Sequence, residues 1–214
     1  MTHAEDTLFR RALLGIAVAT PIWTFVFRSK RANFWVRMTA GAGALGSYGL
    51  WARPEQHKEL PTFKDGLIGA ASAAGLYVIF QIGDRLARRI MPAGTEEIAS
   101  VYELRGKAPT PLITALLVAV IAPGEELFWR GIVQRAFMDR FGPTRGTLAA
   151  SAAYGGIHLV TGNLTLTGAA ATAGLYWGAE YALQPRLGPL LASHILWDVW
   201  IFLVAPTPGA ENAS

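Results

Sequence analysis

Six ionisable side chains stand inside stretches otherwise short of charge: Glu125, Glu126 and Arg130, then His158, then His194 and Asp198. A charged group in an apolar span is costly unless it is paired or put to use, so each is a candidate for chemistry. Glu126 and Arg130 lie at i,i+4 and share a helix face, acid before base, which is the favourable order. Glu125 falls about 100° further round and meets only Phe128 and Trp129 at i+3 and i+4. The spacing therefore predicts one carboxylate neutralised by a structural pair and one buried without a partner, free to act as a general base. Pro123-Gly124 directly precedes it, and a proline removes a backbone hydrogen bond; the helix is expected to open there and admit water. His194 and Asp198 are again at i,i+4. His158 follows Gly155-Gly156, where small side chains let another helix approach. Brought together, two imidazoles and two carboxylates can activate a water and stabilise a developing oxyanion. The same four residues, Glu125, His158, His194 and Asp198, are also donors that a divalent metal such as zinc accepts.

Apolar helices must position these groups. Of 214 residues, 52% are hydrophobic and only 16% charged, with a mean hydropathy of +0.31, whereas soluble domains carry about a quarter charged residues. Asp, Glu, Lys and Arg are missing from Ala12–Phe27, Met38–Ala52, Gly66–Gly83, Ala108–Gly124 and Gly146–Ala179, and only Asp198 interrupts Leu187–Ala210. A bilayer core takes about 20 residues per helix, and flanking Lys and Arg can snorkel to complete a span. The expectation is an all-α, polytopic integral membrane protein of about seven transmembrane helices, one membrane domain over 1–214 with its motif-bearing core at 108–205. The first segment reads as a retained helix, because no small-x-small cleavage site precedes the basic cluster Arg28, Lys30, Arg31. Between the third and fourth segments, Asp84–Lys107 is polar. Pro92-Ala-Gly94 breaks it, Thr95 is placed as an N-cap, Glu96 and Glu97 suit a first turn, and Ile98, Val101 and Tyr102 share a face. This predicts an amphipathic helix at the membrane interface. Lys and Arg divide almost evenly between the two sides, so no orientation follows.

With no cysteine, there is neither a disulfide nor a thiolate ligand. The net charge of +4 comes from Lys and Arg flanking apolar segments, which points to membrane lipid rather than nucleic acid as partner. Gly41-Ala-Gly43-Ala-Leu-Gly46 spells a dinucleotide-binding string, but without a preceding strand it reads as small residues for close helix packing. Arg37 is read as snorkelling, Glu180 as a solvated helix end, and Trp129 and Trp197 as walls of the site. Asn163-Leu-Thr165 and Asn212-Ala-Ser214 match the glycosylation sequon, with nothing else to indicate a secretory route.

Glu125-Glu126-Leu-Phe-Trp-Arg130 resembles E-E-x-x-x-R, the first motif of the CAAX protease and bacteriocin-processing (CPBP) family of intramembrane proteases. Tyr154-Gly-Gly-Ile-His158 is similar to its second, F-x-x-x-H, with tyrosine in the phenylalanine place. His194-Ile-Leu-Trp-Asp198 resembles the aspartate form of its third, H-x-x-x-N/D. The three occur in the family's order over about a third of the chain; the first 110 residues share only helical spans. The resemblance implies an all-helical intramembrane endopeptidase. Prenyl CAAX endopeptidases of this family remove the last three residues of a lipidated C-terminus. By position, Glu125 and His158 would activate water, His194 and Asp198 would polarise the scissile carbonyl, and Glu126 and Arg130 would hold the helix. An ionised aspartate cannot donate to an oxyanion, so Asp198 must be protonated, orient His194 or ligate a metal. Metal-bound and metal-free, glutamate-activated water both stay open.

The expected function is hydrolysis of a peptide bond in a membrane-anchored or lipidated peptide or protein. The rival readings are a non-catalytic membrane scaffold or immunity protein that binds a peptide, and a proton-coupled transporter, against which stands the lack of an internal repeat.

Overall fold

The computed structural model describes residues 3–58, 61–90 and 94–207. Each charge-poor stretch forms a helix, because a backbone shielded from water must satisfy its own hydrogen bonds. In chain order these are α1 (His3–Arg28), α2 (Phe34–Ala52), α3 (Phe63–Ile90), α4 (Gly94–Tyr102), α5 (Thr110–Phe141), α6 (Pro143–Ile157), α7 (Leu164–Leu183) and α8 (Leu187–Val204). There is no strand among the described residues. The protein is an integral membrane protein with four helices long and apolar enough to cross a bilayer, α1, α3, α5 and α8. By length and composition, four of the seven expected segments meet that measure. α2 and α7 are 19 and 20 residues long and rich in Gly and Ala.

Those small residues serve a crossing of α2 over α5. A Cβ on Gly46 would lie 2.7 Å from Gly124 Cα, and one on Gly124 would run into the Ala42 carbonyl oxygen. The glycine string is thus a helix-packing surface. Gly124→Ala should force the two backbones apart, at a cost of about 1–3 kcal/mol, and lower the unfolding midpoint. Gly156→Ala, where a Cβ meets nothing within 4 Å, should leave the midpoint unchanged. Equal midpoints for the two variants in a thermal melt would refute the close approach.

Along α5 the turns widen twice, at Leu117–Ile121 and Trp129–Gln134. The opening expected at Pro123-Gly124 therefore lies one turn earlier. A proline ring clashes with the carbonyl four residues before it, and the preceding turn absorbs the misfit. Glu125 sits in the regular segment between the two wide turns.

α4 begins at Gly94, which puts Thr95 inside the helix rather than at its N-cap; of the break at Pro92-Ala-Gly94, residues 92 and 93 lie outside the described residues, as does Asn212-Ala-Ser214. Glu97 reaches across to α7, accepting from Leu164 N at 3.2 Å, Thr165 N at 2.8 Å and Thr165 Oγ1 at 2.6 Å. The Thr165 hydroxyl, more than the two amides, holds this carboxyl below the usual range. Asn163 caps α7 by accepting from Leu166 N, and its own amide donates to Glu97 O at 2.8 Å. Tyr102 and Ile98 are buried against Phe202.

Arg37 does not snorkel. It is 9% exposed, and its guanidinium donates to the carbonyls of Val26, Arg31 and Ala32. It closes the C-terminal end of α1, where orphan carbonyls favour a cation. Glu180 is half-buried and hydrogen-bonded to Ser72 of α3 rather than solvated.

Candidate active site

α5 contributes three of the six candidate groups, and its pitch separates them as the spacing predicts. Glu126 is fully enclosed, and its Oε1 accepts from Arg130 Nη1 at 3.0 Å. The same oxygen accepts from His194 Nδ1 of α8 at 2.8 Å. The structural pair is therefore a triad, in which one carboxylate joins two helices and neutralises a buried guanidinium. A buried ion is tolerated only where such partners compensate its lost hydration. The Arg130 guanidinium also lies over two aromatic faces, 4.7 Å from the Tyr154 ring centre and 5.4 Å from that of Trp177.

His194 is held on three sides. Glu126 fixes Nδ1, leaving Nε2 directed toward Asp198 Oδ1 at 3.6 Å, an ion-pair separation too long for a hydrogen bond. Trp177 stacks on the imidazole with ring centres 4.1 Å apart. The indole is itself anchored, since Nε1 donates to Ser193 Oγ at 2.9 Å and that hydroxyl meets Ser72 Oγ at 2.7 Å. His194 and Asp198 are thus not a self-contained pair, because the strong bond goes to Glu126.

Glu125 is not unpaired. The Tyr154 hydroxyl of α6 donates to its Oε2 at 2.9 Å. A buried phenol needs a partner for its O–H, and the carboxylate one helix away supplies it. Oε1 keeps no protein partner among the described residues.

His158 ends α6 in a tighter turn, His158–Thr161. Its Nδ1 donates to the Tyr154 carbonyl at 2.8 Å, and its ring packs 5.1 Å from the Tyr154 ring, with Trp23 and Phe27 on other sides. A carbonyl only accepts, so Nδ1 carries the proton, and in a neutral ring Nε2 is left as an acceptor. Glu125, Glu126, Arg130, His194 and Asp198 form one cluster; His158 joins it through Tyr154. Of the two tryptophans expected to wall the site, Trp129 is buried against Phe128 and Tyr154, while Trp197 packs on Trp177 and Phe80.

No three His, Asp or Glu groups among the described residues are gathered to hold an ion. Glu126 Oε1 is committed to Arg130 and His194, and Glu125 Oε2 accepts from Tyr154; the Nδ1–H of His158 given to a carbonyl leaves its Nε2 as an acceptor.

Sequence reasoning placed Tyr154 in a motif without a role for its hydroxyl, and passed over Trp177. Each carries a single polar hydrogen on an apolar ring, and here it is used, by Tyr154 on Glu125 and by Trp177 on Ser193.

Residues 108–200 match the family model described as type II CAAX prenyl endopeptidase Rce1-like. Over this stretch the chain is similar to the CAAX protease family. All six candidate residues, together with Tyr154 and Trp177, fall within the matched stretch. No curated protein and no solved structure matches the chain.

Proposed function

We propose that this protein is an intramembrane endopeptidase of the CAAX protease type, hydrolysing a peptide bond in a membrane-anchored or lipidated substrate. The reading rests chiefly on Glu125: a buried carboxylate near the middle of a span, held by one donor on Oε2, with Oε1 left without a protein partner among the described residues. Oε1 takes a proton from water as the water oxygen attacks the scissile carbonyl carbon. The electron pair displaced onto the carbonyl oxygen is met by Nε2–H of His194, whose imidazolium form Glu126 stabilises through Nδ1. The proton on Glu125 then passes to the leaving amine as the C–N bond breaks. Asp198 orients Nε2, and His158 steadies the Tyr154 segment that holds Glu125. We assign all seven long helices to the bilayer as one domain over 1–214, with α4 at the interface.

The test is cleavage of membrane-anchored and prenylated reporter peptides by the purified protein in lipid, with and without a chelator, beside Glu125→Gln. Cleavage that depends on Glu125 supports the reading. Equal cleavage by wild type and variant sinks it, and no cleavage by folded wild type across the panel shifts the assignment to a non-catalytic peptide-binding partner.

Tyr154→Phe returns the family's own residue type to the position and removes only the hydroxyl. A hydrogen bond to a charged group is worth about 1.5–3 kcal/mol, so kcat should fall at least about tenfold while KM holds. A KM rise with constant kcat would instead mean that Tyr154 binds substrate.

A further inference from the structure

Away from this cluster, a cavity of about 500 Å³ lies where α1 ends, α2 begins and α4 crosses the start of α7. Three cations line it, Lys30, Arg37 and Lys107, and no Asp or Glu does among the described residues. Arg37 is the telling member. It is nine-tenths buried, has no carboxylate partner among the described residues, and spends Nε and Nη1 on carbonyls. Nη2 has no protein partner and is not sealed in by its surroundings. A buried guanidinium without a counter-ion is costly, and its flat fork suits an oxyanion. Lys30 and Lys107 are exposed at the rim and have no ion pair. Glu97 on α4 is occupied by Leu164 and Thr165.

We propose that this cavity binds the phosphate of an anionic phospholipid headgroup, with Arg37 at its floor and Lys30 and Lys107 at its rim. The location selects that source of phosphate. The cavity opens where α1 ends and α5 is about to begin, two helices long and apolar enough to cross the bilayer. Phe27 and Phe34 also line it, with Trp35 edge-to-face with Phe34, which is the aromatic setting of the headgroup layer. Basic residues at that depth face anionic lipid.

The test uses the full chain in nanodiscs of phosphatidylcholine with and without phosphatidylglycerol, reading retained lipid by native mass spectrometry. Wild type should retain phosphatidylglycerol over phosphatidylcholine. Because Arg37 also holds the loop it caps, the deciding variant is the double substitution Lys30→Gln, Lys107→Gln, which should weaken retention about tenfold to thirtyfold. Arg37→Gln should weaken it further wherever the melt shows a folded protein. Equal retention of the two lipids, or retention unchanged in the lysine double variant, overturns the site. Displacement by inorganic phosphate or by a short peptide with a free C-terminal carboxylate at matched concentration overturns the lipid assignment in favour of a soluble anion or a peptide end.

Discussion

Glu125→Gln should stop cleavage while leaving the protein folded. Glutamine has the shape of glutamate and keeps a side-chain oxygen to accept from the Tyr154 hydroxyl, now at 2.9 Å from Oε2. The packing around α5 therefore survives. What is lost is the basic oxygen: an amide cannot take a proton from water at neutral pH. General-base catalysis contributes about 10²–10⁴-fold, so the rate should drop by that factor, within reach of a sensitive reporter. Initial rates and a thermal melt on the same preparation check both halves. A rate within threefold of wild type with an unchanged melt would remove Glu125 from the chemistry, and the same rate loss with a collapsed melt would make its role structural.

How much of this arrangement was legible depends on how local each feature is. The Glu126–Arg130 pair is intrahelical, set by a 3.6-residue period, and it stands as read. The helices follow from charge-free runs that leave the backbone no other solution. The Glu126–His194 bond joins residues 68 positions apart, so no periodicity can foretell it; the motifs placed both residues in one site without saying which would bond. Tyr154 is subtler. The family pattern has an apolar ring there, and attention to the pattern hides the one added hydroxyl that ends Glu125's isolation. Arg37 was misread for a related reason. One turn into a helix that could be a span, an arginine can reach out to water or fold back on a neighbouring helix end. The choice was made by the carbonyls of Val26, Arg31 and Ala32, which only the tertiary fold brings near.

Arg130 is where the largest loss of stability is expected. Arg130→Ala would leave the Glu126 carboxylate at 0% exposure with only His194 as partner. Breaking a buried pair from one side costs about 3–5 kcal/mol, a large part of the roughly 5–15 kcal/mol that holds a domain folded. The single variant should give little folded protein, which by itself says nothing about catalysis. Replacing both charges, Glu126→Gln with Arg130→Met, removes the uncompensated ion; exchanges of this kind are often neutral in stability. That double variant should recover folding, yet its His194 faces an amide in place of a carboxylate, and the imidazolium loses the group that stabilises it. The expected result is a folded protein with kcat lowered about tenfold to a hundredfold, taking a charged hydrogen bond at about 1.5–3 kcal/mol. Recovery of the melt together with full activity would leave Glu126 and Arg130 a purely structural pair and return the polarising role to His194 and Asp198 alone. Recovery of the melt with depressed kcat would show that one carboxylate serves the fold and the chemistry through the same oxygen.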